Sequence, residues 1–188
     1  MPLTPAAADV IVALGRVLPR FGPWYLFGAQ AVSIFGVPRL SADVDVTVRL
    51  AEGSTEAFVA AMRDAGFDLQ VPDADFVRRA SVLPFVHLST AMPVDVVLAA
   101  SGLEDEFLQR ARPIEIEGVP TPIIDREDLV IAKVLAGRPK DLEDARGLWK
   151  IHGADLDATR IRRVLALLED ALAQSDLLPA FDEIQRRV

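Results

Sequence analysis

With 188 residues, 51% of them hydrophobic and 26% charged, the chain has the composition of a folded globular protein of one domain, or of a core with a helical appendage. A net charge of −8 and a pI near 4.8 argue against a protein that coats nucleic acid through a broad basic surface, while leaving room for a local basic site. The absence of cysteine excludes disulfides, thiolate zinc sites and a cysteine nucleophile.

The only histidines, His87 and His152, are far apart in sequence, so any metal is expected to be held by carboxylates, and oxygen ligands favour magnesium, manganese or calcium. No run of eighteen apolar residues occurs, and the N-terminus lacks the basic start and apolar stretch of a signal peptide. A cytoplasmic protein with no membrane partner is expected.

Thr4 followed by Pro5 predicts a helix start, with Val10, Leu14, Val17 and Leu18 at helical spacing and Gly22-Pro23 as its end. Trp24 to Phe27 reads as a buried strand, Gln30 to Phe35 as a short helix entered through Gly28-Ala29, and Asp43 to Val48 as a strand of alternating polarity. Ser54 is expected to cap a helix over Thr55 to Asp64, closed by Gly66. Strands are expected over Phe67 to Val71, Pro84 to Leu88 and Val94 to Leu98, with 73–80 ambiguous, then a helix over Leu103 to Ala111 and strands over Pro113 to Glu117 and Thr121 to Ile124.

From Asp125 the pattern turns helical. Asp125 with Asp128 resembles a capping box for a helix reaching Ala136, and further helices are expected over Lys140 to Ile151, Thr159 to Gln174 and Pro179 to Arg187. The fold class is therefore α/β (α+β), a small mixed β-sheet flanked by helices over residues 1–124 and a helical C-terminal part over 125–188.

Side chains alternate along a strand, so Asp43 and Asp45 share one face while Val44, Val46 and Val48 enter the core. Asp95 stands in a second apolar strand; if the two strands are neighbours, three carboxylates converge where one or two magnesium ions could clamp phosphate oxygens. The alternative is a solvated face on an exposed sheet, and the apolar flanks weigh against it. Gly28, at a strand-to-helix turn, would open a phosphate cradle of backbone N–H groups, although a glycine there is also a plain structural choice.

Jointly, Gly28-Ala29, Arg39 ahead of Asp43-Val44-Asp45, and the later Asp95 resemble the nucleotidyltransferase (polymerase-β-like) superfamily. The resemblance extends to the AbiEii-like abortive-infection and toxin-antitoxin nucleotidyltransferases through Lys133, Arg138, Lys140-Asp141 and Asp144. Ala29 departs from that pattern, which more often has Gly or Ser.

The resemblance implies a nucleotidyltransferase fold and an enzyme that moves a nucleoside monophosphate from a nucleoside triphosphate to a hydroxyl. Asp43, Asp45 and Asp95 would ligate Mg2+ or Mn2+, and Asp95 would accept the proton of the acceptor. Gly28 and Ala29 would hold phosphates. Arg39, Lys133, Arg138 and Lys140 would supply positive charge, with Asp141 completing the catalytic set.

The implied acceptor is RNA, tRNA included, and the implied protein partner is a cognate antitoxin; the acidic charge keeps a protein or small-molecule acceptor open. A catalytically silent fold that binds a partner is the competing reading. Asp141 and Asp144 also fit a plain helix start. His87 is expected to be structural, with an approach to the site as the alternative, His152 to end a helix, Trp24 and Trp149 to lie in the core, and Arg160, Arg162 and Arg163 to form a solvated basic face, with an RNA-backbone contact as the alternative.

Overall fold

The computed structural model describes residues 3–39, 41–71, 81–100 and 102–186. The ambiguous stretch 73–80 lies outside the described residues. Helix α1 spans Pro5–Val17, β1 Trp24–Phe27, α2 Gly28–Ile34, β2 Val44–Val48, α3 Thr55–Asp64, β3 Phe67–Leu69, β4 Val82–His87 and β5 Met92–Leu98. They are followed by α4 at Gly102–Arg110, β6 at Arg112–Ile116, β7 at Val119–Ile123, α5 at Arg126–Ala136, α6 at Pro139–His152, α7 at Ala158–Leu172 and α8 at Leu177–Arg186. Residues 2–31 and 40–124 form one compact unit, and residues 32–39 with 125–188 form another.

The first unit is built on a seven-stranded mixed sheet of order β3-β4-β5-β2-β1-β7-β6. β2 lies centrally, antiparallel to β1 and parallel to β5. Its alternating sequence therefore meets covered neighbours on both edges. Val44, Val46, Val48, Val94 and Val96 are fully buried on the face that packs against α1, where Leu83 and Phe85 of β4 join them. Phe58 of α3 reaches the same layer and meets Phe85 edge to face at 6.2 Å.

Local chemistry sets most boundaries. Thr4 Oγ1 accepts from the Ala7 N–H at 3.2 Å, and Pro5 occupies the first turn, where its missing N–H costs nothing. Ser54 behaves otherwise: α3 begins after it as expected, but its hydroxyl donates to the Ala51 carbonyl at 2.7 Å and does not cap the helix. A hydroxyl can close a turn behind it as readily as cap a helix ahead.

The second unit packs α5, α6, α7 and α8 around Leu129, Val134, Leu148, Ile161, Leu165 and Phe181. Asp125 caps α5 by accepting from the Glu127 N–H at 3.1 Å, and Gly137 ends it in the left-handed conformation at φ 64°. Asp128 is fully buried, its carboxylate 2.7 Å from an Arg160 nitrogen of α7. Arg162 pairs with Asp182 of α8. Thus two of the three arginines expected on a solvated face tie helices together, Arg160 largely buried and Arg162 still partly exposed, and Arg163 is exposed.

Candidate active site

In the sheet unit, Asp45 and Asp95 are register partners on parallel strands, and Asp45 also stands opposite Phe27 of β1. Asp43 precedes β2 by one residue, so alternation places Asp43, Asp45 and Asp95 on one face, opposite the α1 layer. At the other end of that face α4 packs down: Phe107 meets Tyr25 at 6.4 Å and Asp105 pairs with Arg49. The three aspartates remain half-buried.

Burial holds the Asp95 carboxyl above the usual aspartate range, and the negative charge of Asp43 pushes it in the same direction. Gly28 takes φ 66°, and a Cβ there would stand 2.6 Å from Asp45 Cγ. Only a residue without a side chain lets the start of α2 come this close to the carboxylate.

Asp43 is fixed twice. Ser41 Oγ donates to its Oδ1, and Gln30 Nε2 of α2 donates to its main-chain carbonyl at 2.9 Å. Gln30 and Ser41 escaped the sequence reading. Gln30 and Ser33 are the only polar side chains in the segment GAQAVSI, and both are buried; that apolar frame, three residues apart, is the signal that could have found Gln30.

The helical unit holds a separate constellation. Lys133 Nζ lies 2.9 Å from Asp141 Oδ1 and 2.8 Å from Asp144 Oδ2, with all three side chains buried. Arg138 pairs with the other Asp141 oxygen, and Arg39 Nε lies 3.4 Å from Asp144 Oδ1. Burial pushes the Asp141 carboxyl up, but the hydrogen bonds from Arg138 and Lys133 and their charges outweigh it, so the net direction is down. Ala29 is buried behind Gly28, while Lys140 is exposed in the first turn of α6.

His87 belongs to neither group. It sits on the α1 face of β4, opposite in register to the aspartates, stacks on Phe67 at 4.8 Å and shares Nδ1 with the Thr90 hydroxyl at 2.9 Å. Burial lowers its imidazole range, with Asp9 opposing weakly.

For a divalent cation, the donor set fits in kind. Asp43, Asp45 and Asp95 offer hard oxygen atoms on one face, and the Asp43–Asp95 repulsion is of the sort a cation relieves. Among the described residues no group of three acidic or histidine side chains is drawn together closely enough to cage an ion.

A mixed sheet with adjacent aspartates on its central strands and a glycine-led helix against them defines the chain as a nucleotidyltransferase, and the comparisons agree. The chain belongs to the family described as nucleotidyltransferase of unknown function (DUF6036), which matches residues 24–187.

Among solved structures, it is similar to the antibiotic-resistance factor ANT(2'')-Ia in complex with adenylyl-2''-tobramycin, at 15% identity and a TM-score of 0.59 over 90% of this chain and 99% of that one. It is also similar to an antigenic nucleotidyltransferase-like protein from Paracoccidioides brasiliensis, at 15% identity and a TM-score of 0.57 over 97% and 95% of the two chains. These likenesses are of fold. No curated protein matches the sequence. Among the described residues no helix is long and apolar enough to cross a membrane.

Proposed function

We propose that the protein transfers a nucleoside monophosphate from a nucleoside triphosphate to a hydroxyl. The observation that carries this reading is the shared face of Asp43, Asp45 and Asp95 with Gly28 against Asp45. In the reaction, the acceptor oxygen forms a bond to the α-phosphorus while the bond from that phosphorus to the bridging oxygen breaks, and pyrophosphate leaves with the electron pair.

Asp95, with its raised carboxyl range, is suited to take the acceptor proton. Gly28 and Ala29 would hold the phosphates through main-chain N–H groups. Mg2+ or Mn2+, held by Asp43, Asp45 and Asp95, would supply charge compensation for phosphate oxygens when bound. By the nucleotidyltransferase resemblance Arg39, Lys133, Arg138 and Lys140 would help to hold an anionic substrate, and the exposure of Arg138 and Lys140 supports that role.

The likeness to AbiEii-like enzymes carries the reading further, to a cytoplasmic toxin-antitoxin or phage-defence component that modifies RNA, tRNA included, and is restrained by a cognate antitoxin. A second reading has its own support: the charge of −8 disfavours RNA, and ANT(2'')-Ia was solved with an adenylylated small molecule. In that reading the acceptor is a small molecule.

The test is incubation with each labelled nucleoside triphosphate and Mg2+, against separate pools of RNA, protein and hydroxylated small molecules, beside Asp43→Ala/Asp45→Ala. Label transferred only by the wild type supports the site, and the labelled pool names the acceptor class. Equal label with the double variant refutes the site, and no transfer to any pool favours a silent partner-binding fold.

A further inference from the structure

His152, the last residue of α6, stands between two partners of fixed character. Its Nε2 lies 2.7 Å from the Phe35 carbonyl oxygen, and its Nδ1 lies 3.0 Å from Arg126 Nη1 of α5. A carbonyl oxygen only accepts and a guanidinium only donates, so Nε2 carries the proton and Nδ1 offers its lone pair. Both bonds require the neutral ring in one tautomer. Adding a proton to Nδ1 replaces the acceptor facing Arg126 with a donor and sets two cations side by side.

The residue reached through Phe35 is part of a short stretch, 32–39, that belongs with the C-terminal helices although it lies in the chain between Gly28 and Asp43. Two further contacts seat the stretch and one closes it on itself. Gly147 of α6 leaves room for Val37, since a Cβ there would stand 2.7 Å from Val37 Cγ1. Arg39 pairs with Asp144, and Ser33 Oγ donates to the Arg39 carbonyl at 3.1 Å.

Arg126 of α5 is the charged group bonded to the ring, residues 32–38 carry no charge, Arg39 is engaged by Asp144, and Lys150 and Asp155, neighbours of His152 in sequence, are exposed. The ring also meets Phe35 edge to face at 6.4 Å. The imidazole is therefore the one side chain from outside the stretch that is bonded to its main chain among these contacts.

We propose that His152 is a positioning residue for nucleotidyl transfer: by clamping Phe35 it holds the last turn of α2 and the Arg39 connection, and so restrains the helix whose first residue abuts Asp45. The clamp rests on the proposed transfer reaction only for its effect on rate; its geometry stands without it. His152→Gln is the informative variant, because the amide nitrogen can donate to the Phe35 carbonyl while the amide oxygen accepts from Arg126, and glutamine does not titrate. His152→Leu keeps bulk and loses both bonds.

The test pairs amide hydrogen exchange over residues 32–39 with imidazole nitrogen NMR and steady-state transfer kinetics. The two histidines are told apart by the signal that vanishes in His152→Gln. The expected result is a neutral ring with its proton on Nε2, and amide exchange over 32–39 about tenfold slower in the wild type than in His152→Leu. His152→Gln should keep the wild-type protection, and His152→Leu should lose it.

Transfer by His152→Gln should stay close to the wild type, while His152→Leu raises KM for the nucleotide more than it lowers kcat. An Nδ1–H tautomer, wild-type protection in His152→Leu, or a His152→Gln variant that behaves like His152→Leu would overturn the proposal. A wild type without transfer activity counts against the transfer reading alone, because exchange and NMR still decide the clamp.

Discussion

Gly28 and Asp45 are in such close apposition that a methyl group on Gly28 would stand 2.6 Å from Asp45 Cγ and 2.9 Å from its Cβ. With φ at 66°, the position resists substitution on conformational grounds as well. Gly28→Ala should cost about 1 kcal/mol for the backbone and roughly 1–3 kcal/mol for the overlap. Transfer should fall by about 100-fold, because the carboxylate is displaced by about an ångström. Gly53→Ala is the control: its φ is 74° but nothing lies within 4 Å of the added Cβ, so it should lose about 1 kcal/mol with transfer unchanged. Denaturation midpoints and single-turnover rates on both variants check this, and a Gly28→Ala enzyme of wild-type rate would detach Gly28 from the site.

Asp95 carries a cost in the folded state that an amide would not. Burial, and then the charge of Asp43, raise its carboxyl range, so its ionisation destabilises the fold as pH rises through that raised range and has no effect at pH below the ordinary aspartate range. Asp95→Asn should raise Tm by a few degrees at about pH 7, and the gain should vanish by about pH 3. The same variant should lower transfer by about 100-fold or more if Asp95 takes the acceptor proton. Thermal scans across pH decide the first point, and a variant less stable than wild type at neutral pH would contradict it. Mg2+ should raise Tm of the wild type more than that of Asp95→Asn.

How much of this could be read from the chain differs by kind of feature. The alternation Asp43-Val44-Asp45 put the two aspartates on one face of a strand because strand period is a local property, and the caps at Thr4 and Asp125 were legible for the same reason. Strand order was not: β7 inserts parallel to β1 through Leu26–Ile123, almost a hundred residues along the chain, and no local signal specifies that partner. The short helix read over Gln30 to Phe35 gave no sign that 32–39 belongs with the C-terminal helices, since its attachments are made to residues more than a hundred positions away. Arg160 looked solvated because its partner, Asp128, lies on another helix. Both partners are charged, so nothing in either segment reports the burial.

Lys133 compensates two buried carboxylates at once. Lys133→Met leaves Asp141 and Asp144 short of their shared cation and should cost roughly 3–5 kcal/mol at neutral pH. Because Asp141 is held below its ordinary range in the folded protein, its contribution to stability is present above that ordinary range and is lost as pH falls through the lowered one. The penalty of Lys133→Met should therefore shrink in acid, and Lys133→Met/Asp141→Asn/Asp144→Asn should recover much of the loss at neutral pH. Urea titrations at two pH values test both statements; a pH-independent penalty would show that lost packing, not uncompensated charge, is the cause.

Gln30 and Ser41 grip Asp43 from opposite sides, one at its carbonyl and one at its carboxylate. Their removal should have different signatures. Gln30→Leu leaves a buried side chain of similar bulk but no donor for the Asp43 carbonyl, so stability should drop by about 1–2 kcal/mol. Ser41→Ala leaves the main chain in place and frees the Asp43 carboxylate to rotate. Its stability should change by less than about 1 kcal/mol, while the Mg2+ concentration needed for half-maximal transfer rises by about tenfold. Metal titrations at saturating nucleotide separate the two. If Ser41→Ala leaves the metal requirement unchanged, Ser41 does not orient a metal ligand, and its bond to Asp43 serves the turn before β2 alone.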